Sequence, residues 1–251
     1  MIIQSERELN ILREGGKKLA AVLHSVAKEA SPGVTTKYLD DLAEKLILEY
    51  GGKPSFKNYK NPIGQKNYPA TLCVSINDEV VHGIPNDRIL KIGDVVGLDI
   101  GAWYKGLCTD TALTVLVGGG TNRLIDATKK SLEIGIQKVK AGARAGDIGF
   151  VIQNFLESEG FGVVRELVGH GVGNAVHEDP EIPNWGRPGT GAELKEGMVI
   201  AIEPMATEGS PKVKLLPDGW TWVTRDGGKS AHFEHTLVVT KSGADVLTRL
   251  E

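Results

Sequence analysis

Leu9, Leu12, Leu19, Leu23, Val26 and Ala30 fall at helical spacing and predict an amphipathic first helix. Ser5-x-x-Glu8 opens it as a capping box, and Ser31-Pro32-Gly33 ends it. Leu39, Leu42, Leu46, Ile47 and Tyr50 predict a second helix, stopped by Gly51-Gly52. β-rich runs at 71–76, 95–100 and 111–117 then read as strands, and Gly118-Gly119-Gly120 as a turn or linker. Beyond it the same programme starts again. Ile125, Thr128, Leu132, Ile136 and Val139 predict one helix, and Ile148, Val151, Ile152, Phe155 and Leu156 another. Strand-like runs follow at 163–168, 198–203, 220–224 and 235–239.

The repetition extends to individual residues. Leu90-Lys91-Ile92-Gly93-Asp94-Val95-Val96-Gly97-Leu98-Asp99 returns 104 residues later as Leu194-Lys195-Glu196-Gly197-Met198-Val199-Ile200-Ala201-Ile202-Glu203. The lead-in Gly33-Val34-Thr35 matches Gly142-Ala143-Arg144. Two halves, about 5–118 and 122–247, exclude a many-repeat solenoid. We expect a single α+β domain over 1–251, a pseudo-twofold antiparallel sheet with its helices packed on the outer face.

Each copy ends its apolar strand on an acid, Asp99 or Glu203, and a second acid heads the next apolar run, Asp110 or Glu234. Burying an ionised carboxylate among Val, Leu and Ile costs several kcal/mol or more unless a cation meets it. No Lys or Arg lies within these runs. Pseudo-symmetry would bring all four acids to a shared centre, where a divalent metal site is the simplest answer. A lone buried acid is as well explained by a salt bridge or hydrogen bond; the matched quartet favours metal. Four oxygens with one imidazole suit Mn, Fe, Co or Zn.

His170, in Gly169-His170-Gly171-Val172-Gly173, is the candidate imidazole, because flanking glycines leave it uncrowded. That stretch resembles a dinucleotide loop only superficially, since neither a helix nor a downstream acid follows on cue. His82, in Val81-His82-Gly83-Ile84, shares the His-Gly-aliphatic context of His170 and reads as its partner, turned to substrate. His177, seven residues past His170, could return to the same cleft. Both have a plain alternative as structural histidines. On a continuous strand His232 would share the face of Glu234 and contact it. His24 and His235 read as solvated and structural respectively.

Composition narrows the class further. The 251 residues are 41% hydrophobic and 24% charged, enough for a substantial core. A net charge of −3 provides no broad basic field and argues against nucleic acid as the main partner. No run approaches the ~20 apolar residues of a membrane span, and the charged start lacks a signal-peptide core. Two cysteines, Cys73 and Cys108, give neither a disulfide framework nor a zinc pattern. A cytoplasmic protein is expected, and a monomer, for want of an association stripe.

The ordered set Asp99, Asp110, His170, Glu203, Glu234, with His82 and His177, resembles the type I methionine aminopeptidases. The resemblance is carried by Cys73 to Pro85, Asp99-Ile100-Gly101, Gly169 to Gly173, Ile202-Glu203-Pro204-Met205 and Glu234-His235-Thr236. Only 31 residues separate Glu203 from Glu234, without the long insertion of the type II branch. The resemblance implies the pita-bread fold, two divalent metal ions (Co, Mn, Fe(II) or Zn) on those five ligands, and removal of the initiator methionine when the second residue is small. It also implies peptide or nascent-chain N-termini as partners and transient contact with the ribosome. Glu203 would relay the proton, His177 would hydrogen-bond the developing oxyanion, and His82 would contact the scissile amide. Tyr68, Cys73 and Trp220 match positions lining the methionine pocket. Gln65 stands where relatives carry an aromatic residue, and Val176 where they carry Phe. A proline-type exopeptidase and a non-catalytic binding module of the same fold are the competing readings.

Overall fold

The computed structural model describes residues 1–61 and 66–250; Gln65 lies outside them. In chain order the elements are α1 (Glu6–Glu29), α2 (Thr36–Glu49), β1 (Lys53–Pro54), β2 (Leu72–Ile76), β3 (Glu79–Val81), β4 (Val95–Tyr104) and β5 (Leu107–Leu116). Then come α3 (Arg123–Ile136), α4 (Ala145–Ser158), β6 (Gly162–Val163), β7 (Gly169–Gly171), β8 (Glu178–Ile182), β9 (Val199–Ile202) and β10 (Met205–Thr207). The chain closes with β11 (Val213–Leu215), β12 (Trp222–Thr224), β13 (Ser230–His232), β14 (Glu234–Val239) and β15 (Ala244–Val246).

The helices start where polar side chains take up the free N–H groups of the first turn. Ser5 Oγ accepts the Glu8 amide, Thr35 Oγ1 that of Tyr38, and Asn122 Oδ1 that of Ile125. At α4 the Asp147 carboxylate reaches back to the Arg144 amide at 2.8 Å. These caps extend the second and fourth helices beyond the apolar positions that predict them, since a cap depends on one polar atom rather than on periodicity.

The principal sheet runs in the order β1-β4-β5-β14-β9-β7-β8, with β2 paired to β4 and β15 to β14, and every pairing antiparallel. The two halves meet at its centre, where β5 lies beside β14 and Glu234 opposes Ala112. Alternation decides the faces. Val96, Leu98, Ile100 and Ala102 on β4 pack with Leu72, Val74 and Ile76 against Leu19, Leu23, Leu39 and Ile47 of the first helix pair. Ile200, Ile202, Leu237 and Val239 pack against Leu132, Ile148, Ile152 and Leu156 of the second. Each such side chain, taken from water, contributes about 1.5–3 kcal/mol. The opposite face is left for Asp99, Asp110, Glu203 and Glu234.

Three sequence expectations shift. β5 begins at Leu107, so Asp110 stands inside the strand rather than at its head. The hairpin turn is made by Lys105 and Gly106, both at positive φ (47° and 89°), and it lengthens both strands. The run 163–168 pairs only at its start, with Val163 opposite Ala206, before exposed Arg165-Glu166 leads the chain towards β7. The strand expected from Trp220 begins at Trp222, because Asp218 Oδ1 accepts the amides of Trp220 and Thr221 in a turn.

Gly169 sets the approach of β7 to its neighbour: a Cβ there would lie 2.4 Å from the Ala201 carbonyl oxygen. We expect Gly169→Ala to lower stability by about 1–3 kcal/mol by pushing these strands apart. Urea unfolding of the two proteins checks this.

Candidate metal centre and substrate cavity

β4 contributes Asp99, β5 Asp110, the end of β9 Glu203, β14 Glu234 and β7 His170. The register makes them neighbours. Ala112 pairs with Asp99 on one side and with Glu234 on the other, Gly101 opposes Asp110, and His235 opposes Ile202. Thr236 Oγ1 accepts the Asp110 amide at 2.9 Å and donates to the Asp110 carbonyl at 2.7 Å, while Thr111 Oγ1 donates to the Glu234 carbonyl. The two central strands are therefore tied together where their acids emerge.

One ligand atom each from Asp110, His170 and Glu234 lies within 4.8 Å of the others. Asp99, Asp110 and Glu234 are 8%, 3% and 2% exposed, and Asp99 Oδ1, Asp110 Oδ1 and Glu234 Oε1 are buried without a hydrogen-bond partner. Such oxygens ask for a cation. No lysine or arginine among the described residues lines this cavity. His170 Nδ1 donates to the Gly171 carbonyl at 2.9 Å, which leaves Nε2 unprotonated to face the acids, 3.5 Å from Glu203 Oε1. The donor set thus fits a divalent cation: hard oxygens with one neutral imidazole.

Without metal the acids are all pushed towards their protonated forms. Burial, then the neighbouring carboxylates Asp110 and Glu203, push Asp99 far above the ordinary range. Burial and the charge of Glu203 push Asp110 up to about 7. Burial pushes Glu203 up to about 8, and Glu234 rises for the same reason as Asp99. The imidazoles move oppositely: burial holds His170 and His232 down to about 3 and His82 to about 4.

The acids line one side of a cavity of about 480 Å³, and Phe56, Tyr59, Tyr68, Cys73, Val81, His82 and Trp220 line another. Tyr68 donates to the Gly83 carbonyl at 2.9 Å and meets the Trp220 ring edge-on at 5.3 Å. Trp220 Nε1 donates to the Lys66 carbonyl. His82 sits at φ 59°, in the left-handed region, with its ring 6.3 Å from Trp220. The glycine after it is obligatory, since a Cβ on Gly83 would lie 2.3 Å from the Val74 carbonyl oxygen. His177 meets the His170 ring edge-on at 4.4 Å, and its Nδ1 lies 2.8 Å from the Tyr59 hydroxyl.

The expected set therefore converges, with two exceptions and one shift. Gln65 falls outside the described residues. Val176 is buried in the apolar cluster with Phe56, Cys108 and Val172 and does not line the cavity, because packing against that cluster turns it inward. His232 ends β13 while Glu234 begins β14, so the intervening residue breaks the shared face, and His232 Nε2 approaches Glu203 Oε2 at 3.5 Å instead. His24 and His235 lie away from the cavity, His235 Nδ1 hydrogen-bonded to Thr248 Oγ1. Phe56, Tyr59, Val81, Glu166, Leu167, Val168 and Glu181 also line the cavity and escaped the sequence reading. Tyr59 stands in the polar segment Lys57-Asn58-Tyr59-Lys60-Asn61, where no periodicity marks it. Its aromatic character in that setting is the one available signal.

The family model of metallopeptidase family M24 matches residues 10–241, and the chain belongs to that family. The family works with divalent metal, in keeping with the cluster described above. Among its relatives, methionine aminopeptidase 1 of Bacillus subtilis (strain 168) is 47% identical over 253 residues, covering 100% of both chains. A crystal structure of methionine aminopeptidase from Thermotoga maritima superposes with a TM-score of 0.94 at 44% identity, again over 100% of each chain. The prolidase from Pyrococcus horikoshii OT3 shares the fold alone, with a TM-score of 0.74 at 24% identity, covering 64% of that chain. The architecture is the α+β pita-bread fold. Among the described residues no helix is long and apolar enough to cross a membrane.

The proton balance of the metal-free protein gives a signed expectation. Above about pH 7 unfolded imidazoles, with an ordinary value of 6.5, keep only a minor share of a proton each, so the buried acids dominate the balance. Folded Asp110 and Glu203 still bind protons up to about 7 and 8, whereas unfolded carboxylates have lost theirs. Folded protein then holds more protons, and stability falls as pH rises from about 7 to 8. Thermal unfolding of chelator-treated protein should show this decline, and manganese should reverse it at the upper end.

Proposed function

We propose that the chain removes the N-terminal methionine from polypeptides whose second residue is small, using a pair of divalent cations held by Asp99, Asp110, His170, Glu203 and Glu234. The observation that carries this reading is the group of buried, unpartnered carboxylate oxygens opening on one cavity beside an aromatic recess. Full-length likeness to methionine aminopeptidases supports the same substrate.

Bound divalent cations would lower the pKa of water towards neutrality and so supply the nucleophile. The protein's own residues do the rest. Tyr68, Cys73 and Trp220, joined by Phe56, take the first side chain, and His82 beside Trp220 limits the room for the second. A free α-amine has a lone pair to offer the metal that these carboxylates would hold, and a peptide nitrogen within a chain does not. Glu203, between His170 and His232, accepts a proton and passes it to the departing amine. His177 donates a hydrogen bond to the carbonyl oxygen as charge develops there, and His82 contacts the scissile amide.

Residues 1–251 act on this reading as one catalytic unit with an internal repeat, monomeric and cytoplasmic, meeting nascent chains near the ribosome. The metal is drawn from Co, Mn, Fe(II) and Zn by availability.

The test is hydrolysis of Met-Ala-Ser by stripped protein reloaded with each metal, alongside an Xaa-Pro peptide. Methionine release confined to reloaded protein supports the assignment; cleavage of the Xaa-Pro peptide alone transfers it to a proline exopeptidase, and no cleavage of either ends it. Glu234→Gln should bind less metal by direct metal analysis. His177→Ala should keep its metal and lose about a hundredfold or more in turnover.

A further inference from the structure

His177 has two ring nitrogens, and the role proposed for it needs a proton on the one that faces the substrate. Its Nδ1 lies 2.8 Å from the Tyr59 hydroxyl, and their rings meet edge-on at 5.2 Å. Tyr59 is half-buried, and a phenol ordinarily titrates at about 10, well above neutrality. The phenol therefore keeps its proton at neutral pH. An imidazole nitrogen is a far better acceptor than a phenol oxygen, so the bond runs from Tyr59 O–H to His177 Nδ1. The other nitrogen, Nε2, must then carry the hydrogen.

Tyr59 is itself fixed from behind. The Tyr68 amide donates to the Tyr59 carbonyl at 2.9 Å, and the Asn58 amide donates to the Tyr68 carbonyl at 2.8 Å. Asn58 takes φ 66° to make this close pairing. Tyr68 in turn packs on Trp220. One short backbone pairing thus carries an aromatic side chain to the first-residue recess and another to His177.

We propose that Tyr59 is a positioning residue: its hydroxyl locks His177 in the Nε2–H form and aims that hydrogen into the cavity, so that the pairing with Tyr68 couples the recess to the oxyanion donor. This rests on the aminopeptidase reading for its kinetic consequence, but the hydrogen bond itself does not.

The experiment compares wild type with Tyr59→Phe, which keeps the ring and removes the hydroxyl. Nitrogen-15 spectra of the ring, assigned with His177→Ala, report the tautomer of His177 directly in the metal-loaded protein. Wild type should show the Nε2–H form with a hydrogen-bonded Nδ1, and the Tyr59→Phe variant should lose that signature. With Met-Ala-Ser, kcat should fall about tenfold while KM stays within about twofold, at unchanged metal content. A protonated Nδ1 in wild type, or an unaltered His177 spectrum in the variant, overturns the proposal. So does an unchanged kcat in an active enzyme. An inactive wild type with the expected tautomer would instead sink the aminopeptidase reading and leave the Tyr59–His177 bond standing.

Discussion

Like charges forced together out of water are the constraint around which this molecule is arranged. Asp99, Asp110, Glu203 and Glu234 line one cavity, the first, second and fourth of them buried, and no lysine or arginine among the described residues lines it with them. In isolation each would lose its proton only with difficulty, and the upward pressure on all four shows how strongly. The fold tolerates this because its other face is almost entirely aliphatic and packed by two helix pairs. Apolar burial on one side of the sheet sustains an electrostatically costly arrangement on the other.

The division of labour follows the strand period. Residues at even positions of β4 meet α1 and α2, and Asp99 lies among the odd ones. The same alternation on β9 and β14 sends Ile202 and Leu237 to the helices and leaves Glu203 and Glu234 free to meet. A slip by one residue in any of these pairings would bury a carboxylate under a helix. The reciprocal bonds between Thr236 and Asp110 therefore guard the chemistry as well as the sheet.

Much of this was legible before any coordinates. The repeated strand with its terminal acid picks out Asp99 and Glu203, and the acid heading the next apolar run adds Asp110 and Glu234, because such patterns survive in a linear text. Helix capping by Ser5 was likewise local and readable. What escaped was of a different kind. Tyr59 enters the site by a backbone pairing with Tyr68 across an intervening stretch that has no periodicity, so nothing in its neighbours marks it. Val176 sits directly before His177 yet turns into the apolar cluster, since adjacency in the chain says little about direction outside a regular strand. A continuous strand would set His232 on the face of Glu234, but a one-residue break between β13 and β14 redirects it to Glu203. Irregular backbone, rather than long range as such, set the limit.

The seam between β5 and β14 has a consequence for the birth of the molecule. When the ribosome has released the hairpin carrying Asp99 and Asp110, the strand that must lie against it is still more than a hundred residues from being made. Until then neither Asp99 nor Asp110 has Glu203 or Glu234 to meet. The centre is therefore completed only by a long-range pairing, which the far end of the polypeptide must supply.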